Sequence, residues 1–258
     1  MNISHFFELA AMFLIPILIV LIPLYLGKHY GIYSSKKSPD IQQAPISTVV
    51  GAALGLLAFM LAFTFQIAAN RYDSRKEILL EEVTNIRTTY LRAGLIPEPI
   101  RSETKKLLVE YIDLRVEVAN DYTKLDYMMS RSQQILDRFW DYAETLAEQD
   151  RSSEVYALFT TSVNDLVDNY NQRVTMTLEY RIPVTIIWVL FIIEFLSMFA
   201  LGYQFGISGK GSYSINLLLA IVFAVVIFLI IALDRPETGL VKLNPKPMFT
   251  LQNQLHGM

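Results

Sequence analysis

The chain contains no cysteine, and its only histidines are His5, His29 and His256. The absence of cysteine excludes disulfides, thiolate metal sites and cysteine nucleophiles. Because the whole central part of the chain has no histidine, it also lacks the Glu-x-x-His pairs of di-iron bundles, histidine-based triads and zinc motifs. We therefore expect a protein that is not an enzyme and that holds no metal and no other cofactor.

A glycine-rich phosphate loop is also missing. Gly202, Gly206, Gly209 and Gly211 occur close together, but no lysine and hydroxyl pattern and no preceding strand accompany them. We place these glycines in a short loop between two apolar segments. The net charge is −3, and the lysines and arginines are spread along the chain, so we expect no nucleic acid as a partner.

Apolar residues are abundant, at 53% of the chain with a mean hydropathy of +0.35, while 18% of the residues are charged. The apolar residues form two pairs of segments on either side of a long charged stretch, at about residues 11–26, 47–69, 182–203 and 214–233. Roughly 20 apolar residues let a helix cross a hydrocarbon core. The sequence predicts an all-α integral membrane protein with four transmembrane helices and a large helical insertion between the second and third, continuous with the spans.

This layout divides the chain into four parts: a first transmembrane pair (1–70), a helical bundle (71–180), a second transmembrane pair (181–234) and a C-terminal tail (235–258). Basic residues near the membrane ends favour a cytoplasmic location for the insertion and both termini, and a periplasmic location is the alternative. The absence of cysteine suits a bacterial inner membrane. Pro245 and Pro247 predict an extended, irregular tail.

The first span contains Pro16 and Pro23, seven residues apart and so close to one helical face. Proline frees backbone carbonyls that neighbouring helices or water must satisfy, so we expect a bent helix packed against protein. A cleaved signal peptide is the competing interpretation. The first eight residues contain no lysine or arginine, which argues against it.

The second span carries two stripes at helical spacing. One consists of small residues, where another backbone can approach closely: Gly51, Gly55, Ala58 and Ala62. The other consists of bulky residues at steps of four: Phe59, Phe63 and Ile67. A ring of such bulky residues can gate a pore by dewetting if several subunits surround an axis. The alternative is that both stripes pack against neighbouring helices.

The third span contains an acidic residue, Glu194, near its centre, with Ser197 one turn away. An ionised carboxylate costs several kcal/mol in this environment, so Glu194 must face protein or water, be protonated or pair with a basic group. The functional interpretation is an ion or proton path. The alternative is a hydrogen bond between helices.

The insertion has no glycine except Gly94 between Arg71 and the third span, which favours long helices. Apolar residues at helical spacing predict four helices, separated near Gly94 to Pro97 and near residues 149–152, with the last continuing through Glu179. Close to the second span, charged residues can form a cluster at the cytoplasmic mouth: Arg71, Arg75, Glu81 and Glu82. The commoner alternative is a solvated helix surface with ion pairs.

Several short stretches carry a family resemblance. They are Arg71-Tyr72-Asp73-Ser74-Arg75-Lys76, Glu81-Glu82, Tyr90-Leu91-Arg92-Ala93, Leu95-Ile96-Pro97, Leu178-Glu179-Tyr180-Arg181-Ile182-Pro183 and Leu233-Asp234-Arg235-Pro236. From about Ser47 to Leu243 the chain resembles the bacterial bestrophin-like membrane proteins. The resemblance implies a ring-shaped homo-oligomer in lipid, a pentamer, that conducts small anions along an axis lined by the second span. Phe59, Phe63 and Ile67 then match the apolar neck, but no acidic calcium-clasp motif is found.

Two other functions remain open. A membrane scaffold or sensor would use the helical bundle to bind a ligand or another protein without conducting ions, and a dimer without an axial opening would favour it. A secondary transporter ranks third, because the two pairs of spans show no internal repeat and only Glu194 supports it.

Overall fold

The computed structural model describes residues 3–37, 43–120, 124–176, 181–209, 213–234, 241 and 243–257. Within these ranges the chain forms helices and no strand. In order they are α1 (Ile3–Lys37), α2 (Gln43–Ala93), α3 (Ile100–Asn120), α4 (Leu125–Gln149), α5 (Glu154–Val174), α6 (Val184–Ser208), α7 (Tyr213–Asp234) and α8 (Lys246–His256). Among the described residues, α1, α2, α6 and α7 are long and apolar enough to cross a membrane. The predicted all-α class with four membrane helices is confirmed.

The chain divides into two compact units. The first, the membrane unit, consists of Met1–Tyr72 and Ile182–Val241, and the second, the helical unit, consists of Asp73–Arg181 and Lys242–Met258. α2 belongs to both units, because it continues without a break over 51 residues. The predicted continuity between the second span and the insertion is therefore confirmed for this helix.

The helix after the insertion has its own start. Pro183 is the N-cap residue of α6, and its carbonyl accepts hydrogen bonds from the N–H groups of Ile186 and Ile187. The preceding α5 ends at Val174. Thr175 and Met176 continue as a helical turn. The next residues through which we expected α5 to continue, including Glu179, lie outside the described part of the chain.

α1 is longer than the predicted span at residues 11–26, and both of its prolines lie inside the helix. Pro16 and Pro23 are buried, on the same face as Val20 and Leu24. This face is covered by protein, as expected for a membrane helix in which proline interrupts the hydrogen bonding.

α1 and α6 contact each other through glycines. The buried faces of the two helices carry Gly27 and Gly31 on α1, and Gly202 and Gly206 on α6. A Cβ on Gly27 would overlap the backbone of Phe199, and a Cβ on either α6 glycine would overlap the backbone of α1. Small residues at four-residue spacing let two membrane helices pack backbone to backbone.

This packing corrects the predicted loop between the third and fourth spans. Gly202 and Gly206 lie inside α6, which continues to Ser208. The helix then ends at Gly209, whose φ of 65° is in the left-handed region that glycine adopts without a steric penalty. Gly211 lies outside the described residues. The placement of Gly202 and Gly206 in a loop was wrong, because in a membrane helix glycine also serves as a packing residue.

The helical unit is held together by the apolar faces of α3, α4 and α5, the C-terminal part of α2, and α8. Its largest fully buried side chains include Ile86, Leu108, Tyr111, Phe139 and Phe159. These residues lie on the faces that helical spacing indicated. Their burial from water is the main force that keeps this unit folded.

α8 corrects the predicted irregular tail. Pro245 is its N-cap residue and Pro247 lies in its first turn. Proline is compatible with this position, because the first N–H groups of a helix have no partner within the helix. The apolar residues that follow are buried in the core of the helical unit: Met248, Leu251 and Leu255. The prolines were interpreted as helix breakers, but here they mark the start of a helix.

The glycine contact between α1 and α6 gives a test. We expect Gly202→Ala to destabilise the protein by about 1–3 kcal/mol, because the added methyl group must displace the backbone of α1. Thermal unfolding in detergent should show a lower Tm. The matched control is Gly257→Ala, because a Cβ on Gly257 would meet only the carbonyl oxygens of Asn253 and Gln254, at 3.4 and 3.7 Å. An equal loss of stability in both variants would contradict this account of the packing.

Candidate functional site

The spanning part of α2 is covered by its own chain along one face. The buried residues recur at helical spacing: Val50, Leu57, Leu61, Thr64 and Ala68. Phe59 and Phe63 lie on the opposite face and are 66% and 51% exposed. The chain therefore leaves a bulky apolar face of this membrane helix open.

Ile67, the third residue of the predicted neck, is placed differently from the two phenylalanines. It is partly buried and packs against the core of the membrane unit. Each four-residue step rotates the side chain by roughly 40° around an α-helix, so Ile67 has turned away from the face that carries Phe59. The neck formed by the three residues stays a prediction.

The small-residue stripe of α2 is also open. All four of its members are exposed: Gly51, Gly55, Ala58 and Ala62. A Cβ on Gly51 or Gly55 would have no neighbour within 4 Å. Within the described part of this chain, no second backbone packs against these two glycines.

Two carboxamides that the sequence reasoning missed lie on the same face as the phenylalanines. Gln66 and Asn70 follow Phe59 and Phe63 by seven residues each, and both are exposed. The Nε2 of Gln66 donates a hydrogen bond of 2.6 Å to the Oδ1 of Asn70. Their seven-residue spacing from the phenylalanines was visible in the sequence. α2 therefore exposes a strip composed of Phe59, Phe63, Gln66 and Asn70. The N-terminal half of this strip is apolar and its C-terminal half is polar.

Two polar contacts join α6 to α2. The hydroxyl of Ser197 donates a hydrogen bond of 3.1 Å to the carbonyl of Ala53, and the side chain of Gln204 donates one of 2.8 Å to the hydroxyl of Ser47. Both bonds form in the membrane unit on the side of α2 that faces its own chain. They agree with the rotation of α2 that buries Leu57 and Leu61 and leaves the opposite face open.

Asp234 joins three segments of the membrane unit. Its carboxylate lies 3.7 Å from the guanidinium of Arg71 on α2 and accepts a hydrogen bond of 3.1 Å from the N–H of Ile182, just before α6. Asp234 itself is the last residue of α7. The positive charge of Arg71 is thus balanced within its own chain.

Glu82 is the centre of a second polar group, inside the helical unit. Its side chain is 0% exposed and accepts hydrogen bonds of 2.8 and 3.0 Å from Arg115 and one of 2.9 Å from the hydroxyl of Tyr111, both on α3. Arg173 on α5 lies 3.3 Å away. Burial, together with the adjacent Glu82 carboxylate, raises the pKa of Tyr111, so its hydroxyl stays neutral and donates. One carboxylate therefore links three helices.

The charged residues predicted at the cytoplasmic mouth differ in their surroundings. Arg71 pairs with Asp234, whereas Glu82 binds the arginines of α3 and α5. Arg75 is buried and Glu81 is exposed. The structure gives Arg71 and Glu82 separate partners that no short-range spacing indicated, and a shared cluster of the four residues stays a prediction.

Glu194 is buried in α6 with 0% exposure, and neither of its carboxyl oxygens has a hydrogen-bond partner in the described structure. Within the described ranges, no group of three or more histidine, cysteine, aspartate or glutamate side chains is placed to share a metal ion.

Comparisons with known proteins identify the family and the fold. The model of the Bestrophin-like domain family matches residues 25–248. A crystal structure of a bacterial bestrophin homologue from Klebsiella pneumoniae, carrying one mutation, is 16% identical with a TM-score of 0.66, and the match covers 97% of this chain and 98% of that one. Another structure of a bestrophin homologue from the same organism is 15% identical with a TM-score of 0.62, covering 95% and 96%. The comparison with curated proteins gave no match.

The Glu82 group gives a test of what stabilises the helical unit. We expect Glu82→Ala to cost about 3–5 kcal/mol, because it leaves two largely buried arginines without their carboxylate. Thermal unfolding and the rate of limited proteolysis within residues 73–181 both report this loss. Glu81→Ala, at the exposed neighbouring position, should change stability by less than about 0.5 kcal/mol. Similar behaviour of the two variants would show that the buried group is not a major source of stability.

Proposed function

This chain belongs to the bestrophin-like family and has a bestrophin-like fold, and from that premise we propose that it is an ion channel formed by several copies around an axis. The observation that carries the proposal is the open face of α2. Phe59 and Phe63 are more than half exposed on a membrane helix whose opposite face is buried in its own chain. In the proposed assembly this face lines the pore.

Lipid is a poor environment for the exposed strip. Gln66 and Asn70 are polar, and amide groups in hydrocarbon without enough partners cost several kcal/mol. In a water-filled pore, water molecules can hydrogen-bond to the side-chain amides of Gln66 and Asn70. Phe59 and Phe63 would then line the same pore on the preceding turns of α2. The strip as a whole therefore fits a pore wall better than a lipid-facing surface.

The small-residue stripe supports the same arrangement. Gly51, Gly55, Ala58 and Ala62 lie roughly a quarter turn around α2 from the strip. When several α2 helices surround an axis, the residues beside the axis-facing strip meet the neighbouring subunit. Small residues allow a close approach there. We propose a homo-oligomer on this basis, and a pentamer by analogy with the family.

The apolar part of the strip is the proposed gate. Rings of Phe59 and Phe63 narrow the path and make it unfavourable for water, so that a small change in width wets or dries it. Ile67, at the edge of this face, is proposed as the third neck residue. A narrow apolar ring of this kind conducts passively and needs no cofactor.

The proposed ion is an anion. The preference for anions is proposed by analogy with the family. After the Gln66–Asn70 hydrogen bond, the pair keeps three free N–H groups that can turn towards an anion on the axis, beside three oxygen lone pairs. Because Asp234 balances the charge of Arg71, we assign the preference to the amides and not to Arg71. Electroneutral donors of this kind favour anions only weakly, and a modest selectivity is expected.

The proposed location is the bacterial inner membrane, with lipid around the spanning helices. Basic residues close to the membrane ends on the side of the insertion favour a cytoplasmic insertion and cytoplasmic termini. In this orientation the helical unit forms the cytoplasmic part of the channel.

Phe63→Ala tests the neck. We expect a several-fold faster dissipation of a chloride gradient from liposomes, because removing the ring widens the apolar constriction. Phe195→Ala is the matched control, since Phe195 is a 44% exposed phenylalanine on α6. It should leave the flux unchanged. If an inserted, oligomeric sample shows no flux at all, the channel proposal fails, and a dimer without an axial opening would then support a scaffold or sensor.

Gln66→Glu tests the source of selectivity. A ring of carboxylates attracts cations, so the permeability ratio of chloride to sodium should fall on the order of tenfold, corresponding to about 1.4 kcal/mol. Reversal potentials under a salt gradient measure this ratio. Gln149→Glu adds the same charge at the exposed end of α4 and should leave the ratio nearly unchanged. An unchanged ratio in Gln66→Glu would remove this residue from the pore wall.

A further inference from the structure

One face of α1 points away from the rest of its chain. This outer face is defined by exposed residues that recur at steps of three or four: Leu14, Leu18, Ile22, Tyr25, His29, Tyr33 and Lys36. The opposite side of the helix carries Gly27 and Gly31, which lie against the backbone of α6. The described part of the chain therefore leaves the outer face of this membrane helix uncovered.

The chemistry of the outer face changes at Tyr25. Residues 14–24 consist only of leucine, isoleucine, valine and proline, which suit the hydrocarbon tails of lipids. From Tyr25 onward the outer face carries rings with polar ends and then an ammonium group. Tyrosine is enriched at the level of the lipid headgroups, because its ring is apolar and its hydroxyl is polar. The change at Tyr25 therefore indicates where the hydrocarbon ends along α1.

The neighbouring helices reach their ends beside the same part of α1. Gly206 of α6 lies against the backbone of Lys28, and α6 ends two residues later at Ser208. The side chain of Gln204 donates a hydrogen bond to the hydroxyl of Ser47, which lies four residues after the start of α2. Residues 28–37 of α1 are thus at one boundary of the membrane unit.

Contacts between side chains order the aromatic residues at this boundary. The rings of Tyr25 and His29 meet edge to face, with their centroids 4.3 Å apart. On the side towards α6, the ring of Tyr30 lies 5.7 Å from that of Tyr203, whose hydroxyl is 3.2 Å from the hydroxyl of Ser34. The polar ends of this part of α1 are therefore held in place before any partner arrives.

The charges on this side of the membrane are mostly positive. Residues 9–72 contain one acidic residue, Asp40, and residues 195–233 contain none. Lys36 and Lys37 are both exposed in the last turn of α1. Because the Cα–Cβ bonds of a helix tilt towards its N-terminus, these long side chains can extend back to the level of the aromatic rings. The outer face therefore fits a negatively charged partner.

We propose that the outer face of α1, from Tyr25 to its end at Lys37, binds the headgroup of an anionic phospholipid. His29 and Tyr33 offer an N–H and an O–H to the phosphate, and Lys36 and Lys37 balance the negative charge. The acyl chains of the same lipid lie along the aliphatic part of the outer face. This role follows from the location of α1 in the membrane and does not require ion conduction.

Quenching of a single tryptophan by brominated lipid tests the site in the full-length protein in bilayers. Ile22→Trp places the probe on the aliphatic part of the outer face, and Trp140→Phe with Trp188→Phe removes the two native tryptophans. Phosphatidylglycerol or phosphatidylcholine with brominated acyl chains is added at an equal fraction to phosphatidylcholine bilayers. We expect phosphatidylglycerol to bind beside the probe at least roughly fivefold more tightly.

Lys36→Gln combined with Lys37→Gln tests the headgroup contact. In this variant phosphatidylglycerol and phosphatidylcholine should quench the probe equally, because the positive charge that selects the anionic lipid is lost. The matched control is Lys106→Gln combined with Arg151→Gln, which removes two positive charges from exposed positions of the helical unit and should keep the preference. Native helicity by circular dichroism shows that each variant is folded.

Three results would overturn the proposal. Equal quenching by the two lipids before the lysines are changed would show that the site does not select an anionic headgroup. Quenching by neither lipid would show that protein, such as a second copy of the chain, covers the outer face. A preference that survives the loss of Lys36 and Lys37 would place the selection elsewhere in the membrane unit.

Discussion

A helix in hydrocarbon must satisfy its backbone hydrogen bonds internally, so only its side chains remain to contact the surroundings. α2 meets this condition over 51 residues while its own chain covers one face of its spanning part. The burial of residues such as Leu57 and Leu61 sets its rotation, and with it the face that stays open. The hydrogen bonds from Ser197 and Gln204 on α6 agree with this rotation. The exposed strip with Phe59 and Phe63 follows from this rotation, and the proposed assembly and pore depend on it.

Different interactions stabilise the membrane unit and the helical unit. Between membrane helices there is little hydrophobic driving force, since lipid is as apolar as leucine, so close van der Waals contact dominates. Gly27 and Gly202 provide it by letting the backbones of α1 and α6 touch. The helical unit instead buries apolar side chains from water and surrounds Glu82 with two arginines. At the end of the membrane helices, Arg71 and Asp234 form an ion pair.

Sequence reasoning succeeded where the signal was local. The lengths of the apolar runs and the spacing of residues such as Ile86 and Phe139 indicated the spans and the helices of the insertion. It failed at glycine and proline, because their effect on a helix depends on whether the helix lies in the membrane and on their position within it. Gly202 was placed in a loop although glycine packs membrane helices together, and Pro247 was placed in an irregular tail although the first turn of a helix accepts proline. The partners of Glu82 were missed because they lie on other helices.

The amino-acid sequence alone predicts the class of the protein, the number of membrane helices and which faces of the insertion are apolar, because hydropathy and helical period are properties of neighbouring residues. The two stripes of α2 are visible in the sequence as spacings, but it takes the packing of the folded chain to show that the chain leaves Phe59, Phe63 and the small residues uncovered. The folded chain also brings Asp234 to Arg71. These relations depend on the register and rotation of helices far apart in the chain, which side-chain packing sets and local pattern does not encode.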